Sequence, residues 1–307
     1  LSFSIFKIFI IIIFLSSVFK SSLRQLLIYF IQIIIIMNLE LKKFDISSIS
    51  SDKVCVFIGK RETGKSFLVK DLLYYHKNLP VGTVISGTES ANCFYGNIIP
   101  PIFIHDEYHP EIIRNLLKKQ KKMKHLMVKQ LNDYGSSKVN PNAFLILDDC
   151  LYDASWAKDP NIKTCFMNGR HWHIFFIITM QFPLGIPPNL RTNIDYVFIL
   201  RENIVSNRKR IYDHYAGMFP TFDMFCSTMD QCTENYECLV ICNNAKSNKI
   251  EDQVFWYKAE PREEFRIGPD NVWEYNNSNY TDDKEEEGID INNYTTKKGP
   301  RLHINKI

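Results

Sequence analysis

None of the eight cysteines of this 307-residue chain forms a C-x-x-C pair. Cys226, Cys232, Cys238 and Cys242 cluster downstream, but their spacing matches no zinc-site pattern, so a zinc-built fold is not expected. Cys55, Cys150 and Cys242 lie in or beside apolar runs, which reads as reduced, buried thiols in a cytosolic setting. No internal repeat is visible, and no Asn-Lys-x-Asp sequence of a guanine-specific GTPase occurs; Asn244-Ala245-Lys246 lacks it. The N-terminus has two apolar runs, Ile5 to Phe19 and Leu26 to Ile36. Each falls short of the roughly 20 residues that a spanning helix needs.

That N-terminal segment is built mainly from Ile, Phe, Leu, Ser, Lys, Tyr and Gln, as translated AT-rich DNA is, and an ordinary pattern starts at Met37. Residues 1–36 are therefore read as upstream read-through, with a signal or anchor segment as the other reading. The net charge of +3 conceals an asymmetry. Residues 260–290 carry three basic and eleven acidic groups, so the remainder is strongly positive, and a basic body suggests a polyanionic partner. The expected organisation is a leader over 1–36, one α/β domain over 37–270, and a polar, acidic tail over 271–307, disordered after Trp273.

The strongest signal is Gly59-Lys60-Arg61-Glu62-Thr63-Gly64-Lys65-Ser66, between the apolar run Val54 to Ile58 and a helical pattern that opens at Phe67. This is a phosphate-binding loop with the correct spacing and context. Its backbone N–H groups wrap a phosphate, and Gly59 and Gly64 permit the turn. Lys65 places an ammonium on the outer phosphates, and Ser66 offers a hydroxyl to Mg²⁺. The N-terminus of the next helix adds its positive end to the same anion. A nucleoside triphosphate is the ligand this predicts.

Five apolar residues, Ala143 to Leu147, run into Asp148 and Asp149, which fits a strand buried on both faces of a parallel sheet. Asp148 is the expected Mg²⁺ carboxylate and Asp149 the acid that orients or deprotonates the attacking water. Gln181 closes the strand Ile174 to Met180 and is placed to sense the γ-phosphate. Arg170 stands at the other end of that strand, too far to share the cleft, and is placed to reach a neighbouring subunit's nucleotide. His171 and His173 point to opposite faces if that strand begins early, which leaves them packed beside Trp172.

Short apolar runs alternate with helical stretches from Val54 onward, which predicts βαβ units. Further strands are expected at Val81–Ser86, Ile102–His105 and Ile194–Leu200, and helices at Pro110–Asp133 and near Ser155–Phe166. On the long helix, Arg114, Lys118, Lys121, Lys122, His125 and Lys129 form one stripe, and Ile112, Leu116, Met123 and Met127 another.

Four motifs in order, GKRETGKS, AFLILDDC, NGRHWHIFFIITMQ and PPNLRTNIDYVFILRE, make the stretch from Leu39 to Glu260 resemble the DNA-packaging ATPases of large nucleocytoplasmic DNA viruses, of the poxvirus and giant-virus type, within the FtsK/HerA superfamily. The resemblance implies a RecA-like core, ATP and Mg²⁺ as cofactors, a hexamer-like ring of identical copies, and translocation of double-stranded DNA into a preformed capsid. It implies work in the host cytoplasm or viral factory, with capsid or inner-membrane virion proteins as docking partners. Position by position, Lys65 and Ser66 become nucleotide and metal residues, Asp148 the metal acid, Asp149 the catalytic acid, Gln181 the sensor and Arg170 the inter-subunit finger. Arg191 matches a basic position whose role stays open. Lys118, Lys121 and Lys122, with Arg208, Lys209 and Arg210, are the expected phosphate-backbone contacts, although either group also reads as a solvated face or a subunit contact. The rival readings are a P-loop nucleoside or nucleotide kinase and a non-catalytic nucleotide-binding virion component.

The read-through expectation has a direct check. Mass spectrometry of the native protein should find an N-terminal peptide that starts at Met37, and a peptide from before it would contradict the reading.

Overall fold

The computed structural model describes residues 39–150 and 156–279. The leader and the end of the acidic tail lie outside the described residues. Nine strands form one sheet in the order β1-β9-β8-β7-β2-β6-β5-β3-β4. They are β1 (Lys42–Lys43), β2 (Val54–Ile58), β3 (Gly82–Ser86), β4 (Ile104–His105), β5 (Ala143–Asp148), β6 (Ile174–Met180), β7 (Tyr196–Ile199), β8 (Glu237–Cys242) and β9 (Val254–Lys258). All neighbours pair in parallel except β8, which runs antiparallel to both β7 and β9. The longer helices are α1 (Lys65–Tyr74), α2 (Pro110–Tyr134), α3 (Pro160–Asn168), α4 (Val205–Tyr215), α5 (Phe222–Cys232) and α6 (Asp270–Asn279). This is a P-loop α/β fold with a mainly parallel sheet, as the sequence predicts.

The central strands read as unbroken apolar runs because both faces of the sheet are covered. Val54, Val56 and Ile58 of β2 enter one core cluster, with α2, α3 and α5 residues, whereas Cys55 and Phe57 enter the other, with Leu68, Val69, Leu72 and Leu73 of α1. Gly82 is required by packing in β3: a Cβ there would meet the Phe144 ring at 2.2 Å. On the α1 face, the fully buried Asp71 accepts from Tyr257 Oη (2.6 Å), Arg262 Nε (2.6 Å) and the Glu260 amide (3.1 Å). That carboxylate ties the helix behind the phosphate loop to the chain leaving β9.

Several sequence expectations need correction. Pro100 and Pro101 turn the chain into a 3-10 helix, Pro101–Phe103, so the strand expected at Ile102 starts at Ile104. Asp159 caps α3 by accepting from the Asn161 amide, so this helix starts at Pro160 rather than near Ser155, which lies outside the described residues. The buried stripe of α2 is Ile113, Leu116, Leu117 and Gln120; of the expected Ile112, Leu116, Met123 and Met127 only Leu116 is buried and Ile112 packs at the core's edge, because only the first half of the helix lies on the sheet. Beyond Gln120 the helix runs on with Leu126, Val128, Leu131 and Tyr134 exposed. The chain stays helical past Trp273 as far as Asn279, and the rest of the expected disordered tail lies outside the described residues: α6 is anchored by Trp273 Nε1 donating to Ile267 O (3.0 Å) and by buried Asn276, whose Oδ1 accepts from the Ile102 amide (2.9 Å). All eight cysteines are free. No helix among the described residues is long and apolar enough to cross a membrane.

His76 follows α1, buried against Phe175 at 4.3 Å between ring centroids, with Nδ1 3.0 Å from Ser51 Oγ. Burial pushes its pKa down to about 4. The unfolded chain, with an ordinary imidazole, binds the proton first on acidification, so this group contributes a loss of stability as pH falls from about 6.5 towards 4. Denaturant titrations should show a loss of up to about 3 kcal/mol over that window from this residue, and His76→Gln should flatten that limb.

Candidate nucleotide site

The parallel register brings the carboxyl ends of five strands level. Ile58 pairs with Met180 and with Ile199, Asp148 with Thr179, and Ser86 with Asp148. Such an edge is where open α/β sheets bind ligands. The phosphate loop leaves β2 with the Gly59 amide donating to Met180 O (3.0 Å). A Cβ on Gly59 would meet Thr63 Oγ1 at 2.7 Å and Leu200 Cβ at 2.9 Å, so glycine is obligatory. Gly64 sits at φ +96° as the residue before α1, which turns the amides of the first helical turn outward. Lys65 Nζ folds back over the loop and donates to Gly59 O (2.8 Å) and Lys60 O (2.9 Å). Burial lowers its pKa, while Asp149 and Asp148 oppose that.

Asp148 is buried, and its two carboxylate oxygens accept from Thr179 Oγ1 (2.6 Å) and Ser86 Oγ (3.2 Å). Burial raises its pKa; the like charge of Asp149 adds to this, and the two hydroxyls and Lys65 oppose it. Asp149 follows in a left-handed conformation (φ 50°), its amide donating to Thr179 Oγ1 (3.1 Å) and its carboxylate accepting from Gln181 Nε2 (2.7 Å). One threonine hydroxyl thus links both acids, and Lys65, Asp148, Asp149 and Gln181 share one cleft. Asp148 is one of the two acids facing a partly buried lysine, and this excess of acid suits a divalent cation. Among the described residues no three His, Cys, Asp or Glu side chains converge on a metal site. Mg²⁺ needs no such cage when a carboxylate, a hydroxyl and phosphate oxygens supply its ligands, and Ser66 at the start of α1 offers the hydroxyl. Asp148 and Ser66 therefore fit the ion.

Within the loop, Lys60, Arg61, Glu62 and Thr63 supply backbone, with Thr63 Oγ1 donating to Lys60 O (2.8 Å) and Glu62 at φ 63°. Phe67 is exposed on the first turn of α1. Arg170 lies in the 3-10 turn Gly169–Trp172, at the amino end of β6, exposed and without a side-chain partner among the described residues. Seven strand residues separate it from Gln181, roughly 20 Å, so it does not share the cleft. His173 caps that turn at φ 55° and β6 begins only at Ile174, so the two histidines do not alternate along a strand as the early-start reading had it. Trp172 instead faces Lys121 and Lys124, 5.5 and 5.3 Å from its ring centroid.

The basic groups fare unequally. Lys118 and Lys122 are exposed on α2, beside the engaged Lys121. Arg208 is committed internally, its Nε donating to Glu202 O (2.6 Å) and its guanidinium pairing with Asp230 (2.6 Å). Lys209 pairs with Asp213 (2.9 Å), and Arg210 lies over Phe182. Helix α4 thus sends these three in separate directions, and they form no single free cluster as the sequence suggested. Arg191 holds its own loop through Ile186 O (2.8 Å).

Sequence reasoning missed Thr179, Ser86, Tyr95 and Glu202. Thr179 is the polar residue inside an apolar strand, two before Gln181 and so on its face, which was the available signal. The Tyr95 phenol is buried, and burial and the nearby charges of Asp148 and Glu89 push its pKa well up. Glu202, three residues beyond β7, forms a 2.8 Å ion pair with Lys60 and accepts from the Ile204 amide (2.8 Å) and Asn207 (3.0 Å). Burial works to raise its pKa, but these bonds overcome that and hold it below its ordinary value.

No family model matches the chain. The uncharacterized protein L437 of Acanthamoeba polyphaga mimivirus is 38% identical over 274 residues, spanning 87% of this chain and 95% of that one. The uncharacterized protein 075L of invertebrate iridescent virus 6 is 42% identical over 215 residues, 69% of this chain and 79% of that one. The chain belongs to the family these viral proteins form. Among solved structures, the genome packaging NTPase B204 of Sulfolobus turreted icosahedral virus 2, in complex with AMP, aligns with a TM-score of 0.47 at 14% identity, over 69% of this chain and all of that one. EssC (ATPases 2 and 3) of Geobacillus thermodenitrificans aligns at 0.46 and 17% identity, over 74% of this chain and 43% of that one. Similarity at that level has no bearing on function.

The Lys60–Glu202 pair predicts a pH-dependent effect. A carboxylate held below its ordinary pKa contributes stability that is present above the unfolded value and lost as pH falls through the folded one. Glu202→Gln should cost about 1 kcal/mol at pH 7 by denaturant unfolding, and its deficit against the native chain should shrink as pH falls below about 4.5.

Proposed function

We propose that the protein hydrolyses ATP to drive double-stranded DNA through a ring of its own copies, packaging a viral genome into a preformed capsid. The observation that carries the reading is the convergence of Lys65, Asp148, Asp149 and Gln181 on one strand-end cleft, with Thr179 bonded to both acids. The four ordered motifs, which resemble packaging ATPases, and the virus family of the chain support the direction from nucleotide site to DNA motor.

ATP entering the loop draws Lys65 off the carbonyls of Gly59 and Lys60 and onto its outer phosphates. Mg²⁺ held by Ser66 and Asp148 would supply charge compensation to those oxygens. Asp149, fixed from its amide side by Thr179 and from its carboxylate side by Gln181, orients a water for in-line attack and takes its proton. Gln181 therefore links the state of the γ-phosphate to the end of β6. Arg170, solvent-facing at the far end of the same strand, acts on the nucleotide of the next subunit. Lys118 and Lys122 of α2, with the neighbouring Lys121, are the phosphate contacts of this reading, and a grip of this kind is independent of sequence and weakened by salt. The place of work under this reading is the viral factory in the host cytoplasm, with virion proteins as docking partners.

The test is ATP hydrolysis with and without long double-stranded DNA. DNA should stimulate turnover, and Asp149→Asn should reduce it by ~10²-fold or more. Lys65→Ala should abolish it, and Arg170→Ala should lower it ~10³-fold. Mixing Lys65→Ala with Arg170→Ala subunits should restore part of the activity, because each supplies what the other lacks. A phosphorylated small-molecule product would identify a kinase instead, and tight ATP binding without turnover a non-catalytic virion component.

A further inference from the structure

Six residues other than glycine hold a positive φ among the described residues: Glu62, Cys93, Asp149, His173, Asn235 and Tyr236. Glu62 lies in the phosphate loop and Asp149 at the acids, and strained backbone of this kind occurs at ligand clamps. The consecutive pair Asn235 (φ 49°) and Tyr236 (φ 64°) remains to be explained. Left-handed backbone is unusual for a bulky aromatic residue, and two in succession require a firm hold on the turn between α5 and β8. The Glu237 amide closes that turn by donating to Glu234 O (2.8 Å).

The consequence is where the ring stands. Tyr236 is 69% exposed, yet it lies against the loop: a Cβ built on Gly64 would meet Tyr236 Cδ1 at 3.4 Å and Cβ at 3.9 Å. An aromatic ring left so open beside the glycine that opens α1 has a face to offer a ligand. Its side of the loop is also defined. The acids and Gln181 lie on β5 and β6, on one side of β2, whereas Tyr236 enters β8, beyond β7 on the other side. With its terminal phosphate turned to Asp148, Asp149 and Gln181, a bound nucleotide carries its nucleoside end away from them, towards Tyr236.

We propose that Tyr236 is the platform on which the base of the bound nucleoside triphosphate stacks. This rests on the reading of Gly59–Ser66 as a nucleotide loop and adds the base-binding half of the site. Stacking on a tyrosine face holds the base without reading its edge. It therefore strengthens binding of any nucleoside triphosphate while adding little choice among bases.

Calorimetric titration of the full chain with Mg²⁺ and either a non-hydrolysable ATP analogue, which stands for ATP here, or inorganic tripolyphosphate separates the base from the phosphates. Tyr236→Gly and Tyr236→Asn both suit a left-handed backbone and remove the ring, and Tyr236→Phe keeps it. The expected result is a ~10-fold loss of ATP affinity in the first two, unchanged tripolyphosphate binding, and ATP affinity within about twofold of native for Tyr236→Phe. Unchanged ATP affinity in both ring-less variants overturns the proposal, as does an equal loss of tripolyphosphate binding, which would make Tyr236 a support for the loop. A native chain that binds neither ligand would remove the nucleotide-loop reading itself, and that outcome is distinct from both.

Discussion

The parallel register of β2, β6 and β5 is the constraint on which the chemistry of this protein depends. A strand fixes its side chains only relative to its hydrogen-bonded neighbours, and a slip of one residue would send every side chain to the opposite face. Because Ile58 sits beside Met180 and Asp148 beside Thr179, the loop, both acids and the glutamine emerge at one level. The same register lets a single Thr179 hydroxyl reach both Asp148 and the Asp149 amide. The two-sided core enforces it, since alternate residues of each strand must match apolar surface above and below the sheet.

The electrostatics of the cleft follow from that convergence. Two carboxylates and one ammonium are drawn together at the sheet edge: burial lowers the Lys65 pKa and raises that of Asp148, and the attraction between them opposes both shifts. The lysine satisfies its donors on the loop's own carbonyls, a bond it can exchange for phosphate oxygens at little net change in hydrogen bonding. Glu202 steadies the loop from the β7 side through Lys60, and Asp71 anchors the helix behind it through Arg262 and Tyr257. The phosphate loop and its helix are thus held from two sides, which pre-organises the loop amides for an anion.

Much of this was legible in the chain. The central strands and the phosphate loop carry local signals: unbroken apolar runs, a glycine spacing and acids at a strand end. The edge of the sheet was not legible, because β1 has two residues and β8 and β9 are identified by pairing rather than by pattern. The buried face of α2 was misjudged because helical periodicity continues past the point where the helix leaves the sheet, and periodicity alone does not say where contact ends. Glu202 and Tyr236 are far from the loop in sequence and next to it only through β7 and β8. The basic run at Arg208–Arg210 looked free because the partners of Arg208 and Arg210, Asp230 and Phe182, lie in other elements.

The central claim is that this strand-end cleft is a magnesium–nucleoside triphosphate site, and a crystal structure with a non-hydrolysable ATP analogue and Mg²⁺ tests it most directly. The account predicts the analogue's phosphates in the loop, Lys65 Nζ moved from the carbonyls of Gly59 and Lys60 onto the outer phosphates, and the ion on Ser66 with Asp148. An analogue bound in another cleft, with Lys65 still on those two carbonyls, would contradict it.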